Sequence, residues 1–245
     1  MGILLAPLGR VPSRVVDRVP HIVRGAPAIA LTALLAASPA WSQAPASQPD
    51  PIKPAEQLVF LDNHFGGLKA PADLVYAYEK KGTLVAPHAE EIHVRLKQGD
   101  KGVLTAVVAD ANGETPLSVE APMQGNPVVI YFLEKDIAEM HTLTGGQPRY
   151  FQKRIRLALA AGPQVTPVTV TWGGKKVPAR QIVIQPYQDD PNHTRFEKLV
   201  GKRYTFVFSE KVPGSVVSVV SEVPDEGGDY GKAVEVEGLR LKAAR

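Results

Sequence analysis

The sequence predicts a mainly β domain with a few helices, an α+β fold in which a curved antiparallel sheet or incomplete β-barrel packs on one or two helices. Three observations carry this expectation. Apolar and polar residues alternate with a period of two through most of the chain after residue 57. Short turn signals separate those stretches, so sequential antiparallel hairpins are the expected order. One segment, residues 148–161, follows instead the 3.6-residue period of a helix.

The elements justify the class in turn. Residues 73–80 (DLVYAYEK) place Leu74, Tyr76 and Tyr78 on one face and Val75, Ala77 and Glu79 on the other. Residues 91–97 set Ile92, Val94 and Leu96 against His93, Arg95 and Lys97. Gln98-Gly99-Asp100 turns the chain into a strand over 103–109, and Asn112-Gly113 is a strong tight-turn signal. The continuous apolar run 127–133 (PVVIYFL) predicts a central strand, followed by a short helix over 134–143. In the run 148–161 (PRYFQKRIRLALAA), Phe151, Ile155, Ala158 and Leu159 form an apolar stripe, with Arg149, Lys153 and Arg156 opposite. Pro148 suits a first helical position and Gly162-Pro163 a stop. Strands over 166–172 and 180–185 flank Gly173-Gly174-Lys175, and strands over 204–208 and 216–221 flank Val212-Pro213-Gly214. A short helix is possible near 192–200, and a last strand over 234–241 brings the total to nine or ten.

Ahead of this domain, residues 1–24 hold Arg10, Arg14, Arg18 and Arg24 with Asp17 as the sole acid, and an uncharged apolar stretch over 25–40 follows. With the small residues Ser42 and Ala44 beyond it, this predicts a signal peptide over 1–44 and secretion to the periplasm. Residues 45–56 (PASQPDPIKPAE) predict a flexible linker, and 57–245 a single β-rich domain. The full chain carries 28 Lys+Arg against 25 Asp+Glu; without residues 1–44, which hold four Arg and one Asp, the balance is 24 to 24. The basic excess therefore belongs to the leader and gives no support for nucleic-acid binding. With no cysteine, a lipid-anchored lipoprotein, disulfide exchange and thiolate metal sites are excluded. No transmembrane anchor is expected after the leader.

Candidate chemistry is thin. His64, His88, His93, His141 and His193 form no HxH, HxxxH or HExxH spacing. His64 or His193 with a nearby carboxylate (Asp62, Asp189, Asp190) would be needed for a hydrolase, and neither GxSxG nor SxxK is present. Glu90-Glu91, adjacent on a strand, would point to opposite faces. No catalytic residue, metal or cofactor is expected. Thr144-Gly145-Gly146-Gln147 suits a plain tight turn better than an anion cradle. The strand-borne aromatics, among them Tyr131, Phe132, Tyr204 and Phe206, are expected to build the core.

The run NPVVIYFLEKDIAEMHTLTGGQPRYFQKRIRLALA, with PYQDDP, RFEKLVGKRYTFVFSEKVPG and SVVSEVP, resembles a family of periplasmic proteins of Proteobacteria, with no catalytic residues to carry over. The sequential curved hairpins interrupted by helices are similar to the half-barrel of the periplasmic lipoprotein carrier, in which an incomplete barrel lidded by helices holds acyl chains. The resemblance implies a concave apolar cavity, lined here by Leu74, Tyr76, Tyr78, Val94, Ile130, Phe132, Phe151, Ile155 and Leu159. Arg149, Lys153 and Arg156 become the candidate contact for an anionic surface. The function expected is a soluble periplasmic non-enzymatic protein that binds a lipid or apolar small molecule or acts in envelope assembly. The alternatives are a structural module binding an envelope protein and, behind it, a hydrolase.

Overall fold

The computed structural model describes residues 51–84, 86–99, 104–115 and 124–245. The expected signal peptide, residues 45–50 of the linker, the turn residue Asp100 and Val103 of the strand expected over 103–109 lie outside the described residues. The first described helix, α1 (Pro54–Glu56), falls within the stretch read as linker and buries Ala55; a single wide turn over Gln57–Leu61 continues it.

Among the described residues, nine strands form one curved, open antiparallel sheet: β1 (Ala72–Gly82), β2 (His88–Gln98), β3 (Leu104–Asp110), β4 (Gly113–Thr115), β5 (Val165–Trp172), β6 (Lys175–Ile184), β7 (Arg203–Phe208), β8 (Val216–Val223) and β9 (Glu235–Ala244). Their order across the sheet is β4-β3-β2-β1-β9-β8-β7-β6-β5. Two hairpin meanders thus meet where the first strand pairs with the last, from Leu74 opposite Ala244 to Gly82 opposite Glu235. The two-residue turn between β5 and β6 needs positive φ at both positions, and Gly173 (54°) and Gly174 (76°) supply it. The alternation in β1 and β2 is realised in register: Leu74 faces Val94 and Tyr76 faces Ile92 across the pair, all four buried.

The largest difference from the sequence expectation is at residues 127–133. Residues 127–133 are not a strand. They open an 18-residue helix, α2 (Pro127–Thr144), that absorbs the short helix expected over 134–143. Its start is locally encoded. The Asn126 side chain accepts from the Val128 N–H at 3.0 Å, and Pro127 takes a first-turn position where no N–H is needed. Its end is encoded by Gly145, whose left-handed φ of 69° lets its N–H reach the His141 carbonyl. Tyr131 and Phe132 therefore lie on a helix, and Ile130 lies on its outer side rather than in the sheet.

The helix α3 (Pro148–Ala160) follows the predicted pattern: Phe151, Ile155 and Leu159 are buried, and Arg149, Lys153 and Arg156 are exposed. Helices α2 and α3 pack on the inner face of the sheet. Their side chains Val129, Phe132, Met140, Phe151 and Leu159 share one core with Leu74, Tyr76, Val94, Tyr204, Phe206 and Leu239. Short 3₁₀ turns at His193–Arg195 and Glu197–Gly201 occupy the place of the helix suggested near 192–200.

Candidate functional site

Eight of the nine side chains expected to line a concave cavity are buried: Leu74, Tyr76, Tyr78, Val94, Phe132, Phe151, Ile155 and Leu159. They belong to a single packed cluster. Ile130 is the exception, at 38 % exposure. The structure thus gathers eight as core and sends the ninth to the other side of α2.

That other side is where a large groove lies. It has a volume of about 540 Å³ between the outer faces of α2 and α3 and the α1 segment. Its apolar lining comes from Phe60, Ile130, Leu133, Ile137, Ile155 and Leu157, with Ala160 at one end. All three candidate cations, Arg149, Lys153 and Arg156, line it as well. They lie at i, i+4 and i+7 on α3, and so form one basic rim. Among the described residues, none of the three has a carboxylate within 4.0 Å, whereas the neighbouring Arg154 is engaged with Asp190 at 2.9 Å. Two carboxylates also line the groove, Glu56 and Glu134, and Glu134 accepts a hydrogen bond from Gln152 at 3.0 Å. A smaller depression of about 270 Å³ shares Glu56, Phe60 and Arg156 with it.

Sequence reasoning found the basic rim but missed most of the floor. The signal was present. Ile130, Leu133 and Ile137 stand at i, i+3 and i+7, one helical face, but only when residues 127–133 are read as helix.

On the opposite side of α2 lies a second polar region, buried against the sheet. Asp136 receives the Lys202 ammonium and a hydrogen bond from the Tyr204 hydroxyl at 2.6 Å, and Tyr204 meets the Tyr187 hydroxyl at 3.2 Å. Glu237 on β9 accepts from the Tyr78 hydroxyl at 2.6 Å and from Lys80 at 3.4 Å, while Lys80 also pairs with Glu139. Glu235 makes no hydrogen bond through its Oε1, which lies 3.7 Å from both the Lys80 and Lys202 ammonium groups. Burial alone would strip charge from Lys202, but the adjacent Asp136 and Glu235 outweigh it and hold its pKa above the usual lysine value. Burial, reinforced by Asp136, raises the Glu237 carboxyl above the ordinary range. Among the described residues Glu139, Glu235 and Glu237 are the one set of carboxylates close enough to share a cation, with an oxygen of each within 4.8 Å of the others. Two lysines already stand among them.

The histidines are dispersed. His64 is buried, its Nε2 bonded to the Leu58 carbonyl at 2.8 Å, and burial lowers its pKa. His193 uses Nδ1 on the Asp190 carbonyl at 2.9 Å. Among the described residues neither of these two rings lies within 4.0 Å of a carboxylate oxygen, whereas His88 meets Glu90 at 3.1 Å and His93 meets Asp73 at 2.9 Å. Glu90 and Glu91 do diverge as strand geometry requires: Glu90 turns inward to Lys135 at 2.9 Å, and Glu91 outward to Lys242 at 2.6 Å. No described helix is long and apolar enough to cross a membrane.

The described residues thus combine an open nine-stranded antiparallel sheet, two helices on its inner face and a basic-rimmed apolar groove outside them. No family model matches the chain, and no curated protein matches it. Among solved structures, the chain is similar to the Mycobacterium tuberculosis lipoprotein LppX at 12 % identity, over 73 % of this chain and 87 % of that one. The TM-score is 0.30, too low to carry an argument about ligand or ancestry.

Proposed function

We propose that the protein is a non-enzymatic, periplasmic binding protein for an apolar ligand, and that the groove between α2 and α3 is where the ligand sits. The groove itself carries this reading. Its volume lies within the roughly 300–1,000 Å³ common for small-molecule sites, and six apolar side chains line it. The periplasmic assignment rests on the basic, then apolar, then small-residue order of residues 1–44. The test is native mass spectrometry, with lipid extraction, on mature protein purified from its own periplasm without detergent. A co-purifying apolar adduct that is lost in an Ala160→Trp variant, where the indole fills one end of the groove, is the expected result. A clean apo mass in both forms would contradict it.

A second reading, a module that binds another envelope protein, is favoured by one observation. Among the described residues strand β5 ends the sheet and pairs on one side alone, an arrangement open to strand addition. Cross-linking from residues of 165–172 to an envelope partner, with the groove empty, would support it over ligand binding.

A further inference from the structure

Resting on the reading of the groove as a ligand site, we propose that its ligand is a free single-chain amphiphile with a monoanionic head group. The acyl chain would lie over Ile130, Leu133, Ile137 and Leu157, with the head group at Arg149, Lys153 and Arg156.

The groove's volume of about 540 Å³ falls within the roughly 300–1,000 Å³ of small-molecule sites, and a single acyl chain with its head is the smallest amphiphile it would take.

Charge sets the head group. Three cations and two carboxylates line the groove, which leaves one positive charge in excess. The cations share a single helical face, and among the described residues no acid lies within salt-bridge distance of them. Two less exposed cations are paired by contrast, Lys202 with Asp136 and Arg154 with Asp190. An incoming carboxylate or phosphate monoester monoanion would meet them through charge-assisted hydrogen bonds.

Shape argues for a free amphiphile over a membrane surface. The groove is walled by three elements, the α1 segment, α2 and α3, and among the long apolar lining residues of α2 and α3 only Ile130 and Leu157 stand well out to solvent. A flat bilayer would touch the rim and leave the floor unused, whereas a detached chain can enter.

The experiment measures displacement of 11-(dansylamino)undecanoate from the mature protein by dodecanoate and by dodecanol, at low and at high salt. Dodecanoate is expected to compete roughly tenfold more tightly than dodecanol, with the difference shrinking as salt rises. An Arg149→Gln/Lys153→Gln/Arg156→Gln variant should bring the two ligands to equal affinity. All three side chains are exposed, and an unchanged far-ultraviolet dichroism spectrum would show that the variant folds. Equal displacement by dodecanoate and dodecanol in the unaltered protein would overturn the head-group proposal while leaving the apolar site standing. No probe binding at all would overturn both. Flotation with phosphatidylglycerol vesicles in the absence of dodecanoate binding would overturn the proposal in favour of a membrane contact.

Discussion

Helix α2 separates two charged regions that solve opposite problems. On its inner side, Asp136 and Glu139 meet Lys202, Lys80, Glu235 and Glu237 against strands β1 and β9, and each ammonium group has an acidic partner. On its outer side, across the groove, Arg149, Lys153 and Arg156 have none among the described residues. Burial explains the difference. A charge removed from water is costly unless paired, so the inner region must be internally neutralised or protonated. Exposed cations bear no such cost and are free to meet something from outside. The inner region therefore belongs to the fold, and the outer one is available for function.

The largest effect that would break this contrast is a substitution in the inner region. Lys202 is only 1 % exposed, and Lys202→Met would leave Asp136 and Glu235 facing each other without their common cation. A loss of about 3–5 kcal/mol of stability in urea unfolding is expected. A loss below about 1 kcal/mol would contradict the reading of Lys202 as the counter-charge of Asp136.

The next effect sharpens the comparison through pH. The Glu237 carboxyl is raised by burial and by Asp136, so the folded state holds that proton more tightly than the unfolded chain does. Its contribution to stability is full below the unfolded value near 4.5 and is lost as pH rises through the raised folded value. Glu237→Gln, which can still accept from Tyr78, removes that component. Relative to the unaltered protein it should gain stability between pH 4 and pH 7, followed by urea titration at each pH. His64 titrates in the opposite sense. Its pKa is lowered by burial, so its contribution is present above pH 6.5 and fades as pH falls through the lowered value.

The smallest expected effect lies on the outer rim. The triple glutamine variant of Arg149, Lys153 and Arg156 should change unfolding free energy by no more than about 0.5 kcal/mol. The same variant should change binding of an anionic amphiphile severalfold. A large loss of stability would show that these cations hold the helix in place and are not free.

The sheet was legible in the sequence because period-two alternation needs only local information: the strands containing Leu74, Ile92, Tyr204 and Val219 stand where alternation and turn residues put them. The helix α3 was legible for the same reason at a different period. Residues 127–133 misled because an apolar run rich in Val, Ile, Tyr and Phe fits a buried strand and a buried helix equally well. Asn126-Pro127 and Gly145 were the deciding signals, and they lie at the ends of the element, outside the run itself. Neither the pairing of β1 with β9 nor the Tyr78–Glu237 hydrogen bond could be read in advance. Both join residues about 160 positions apart, which local patterns do not relate. The basic half of the groove was visible as a helical charge stripe, while its apolar half was hidden behind the assignment of 127–133.

The most direct test of the account is where a bound acyl chain sits. Isotope-labelled mature protein titrated with dodecanoate should show nuclear magnetic resonance shift changes concentrated at Ile130, Leu133, Ile137, Leu157 and Ala160, on the outer side of α2 and α3. Changes centred on Leu74, Tyr76, Tyr78 and Val94 would place the ligand inside the sheet and contradict the outer groove as the binding site.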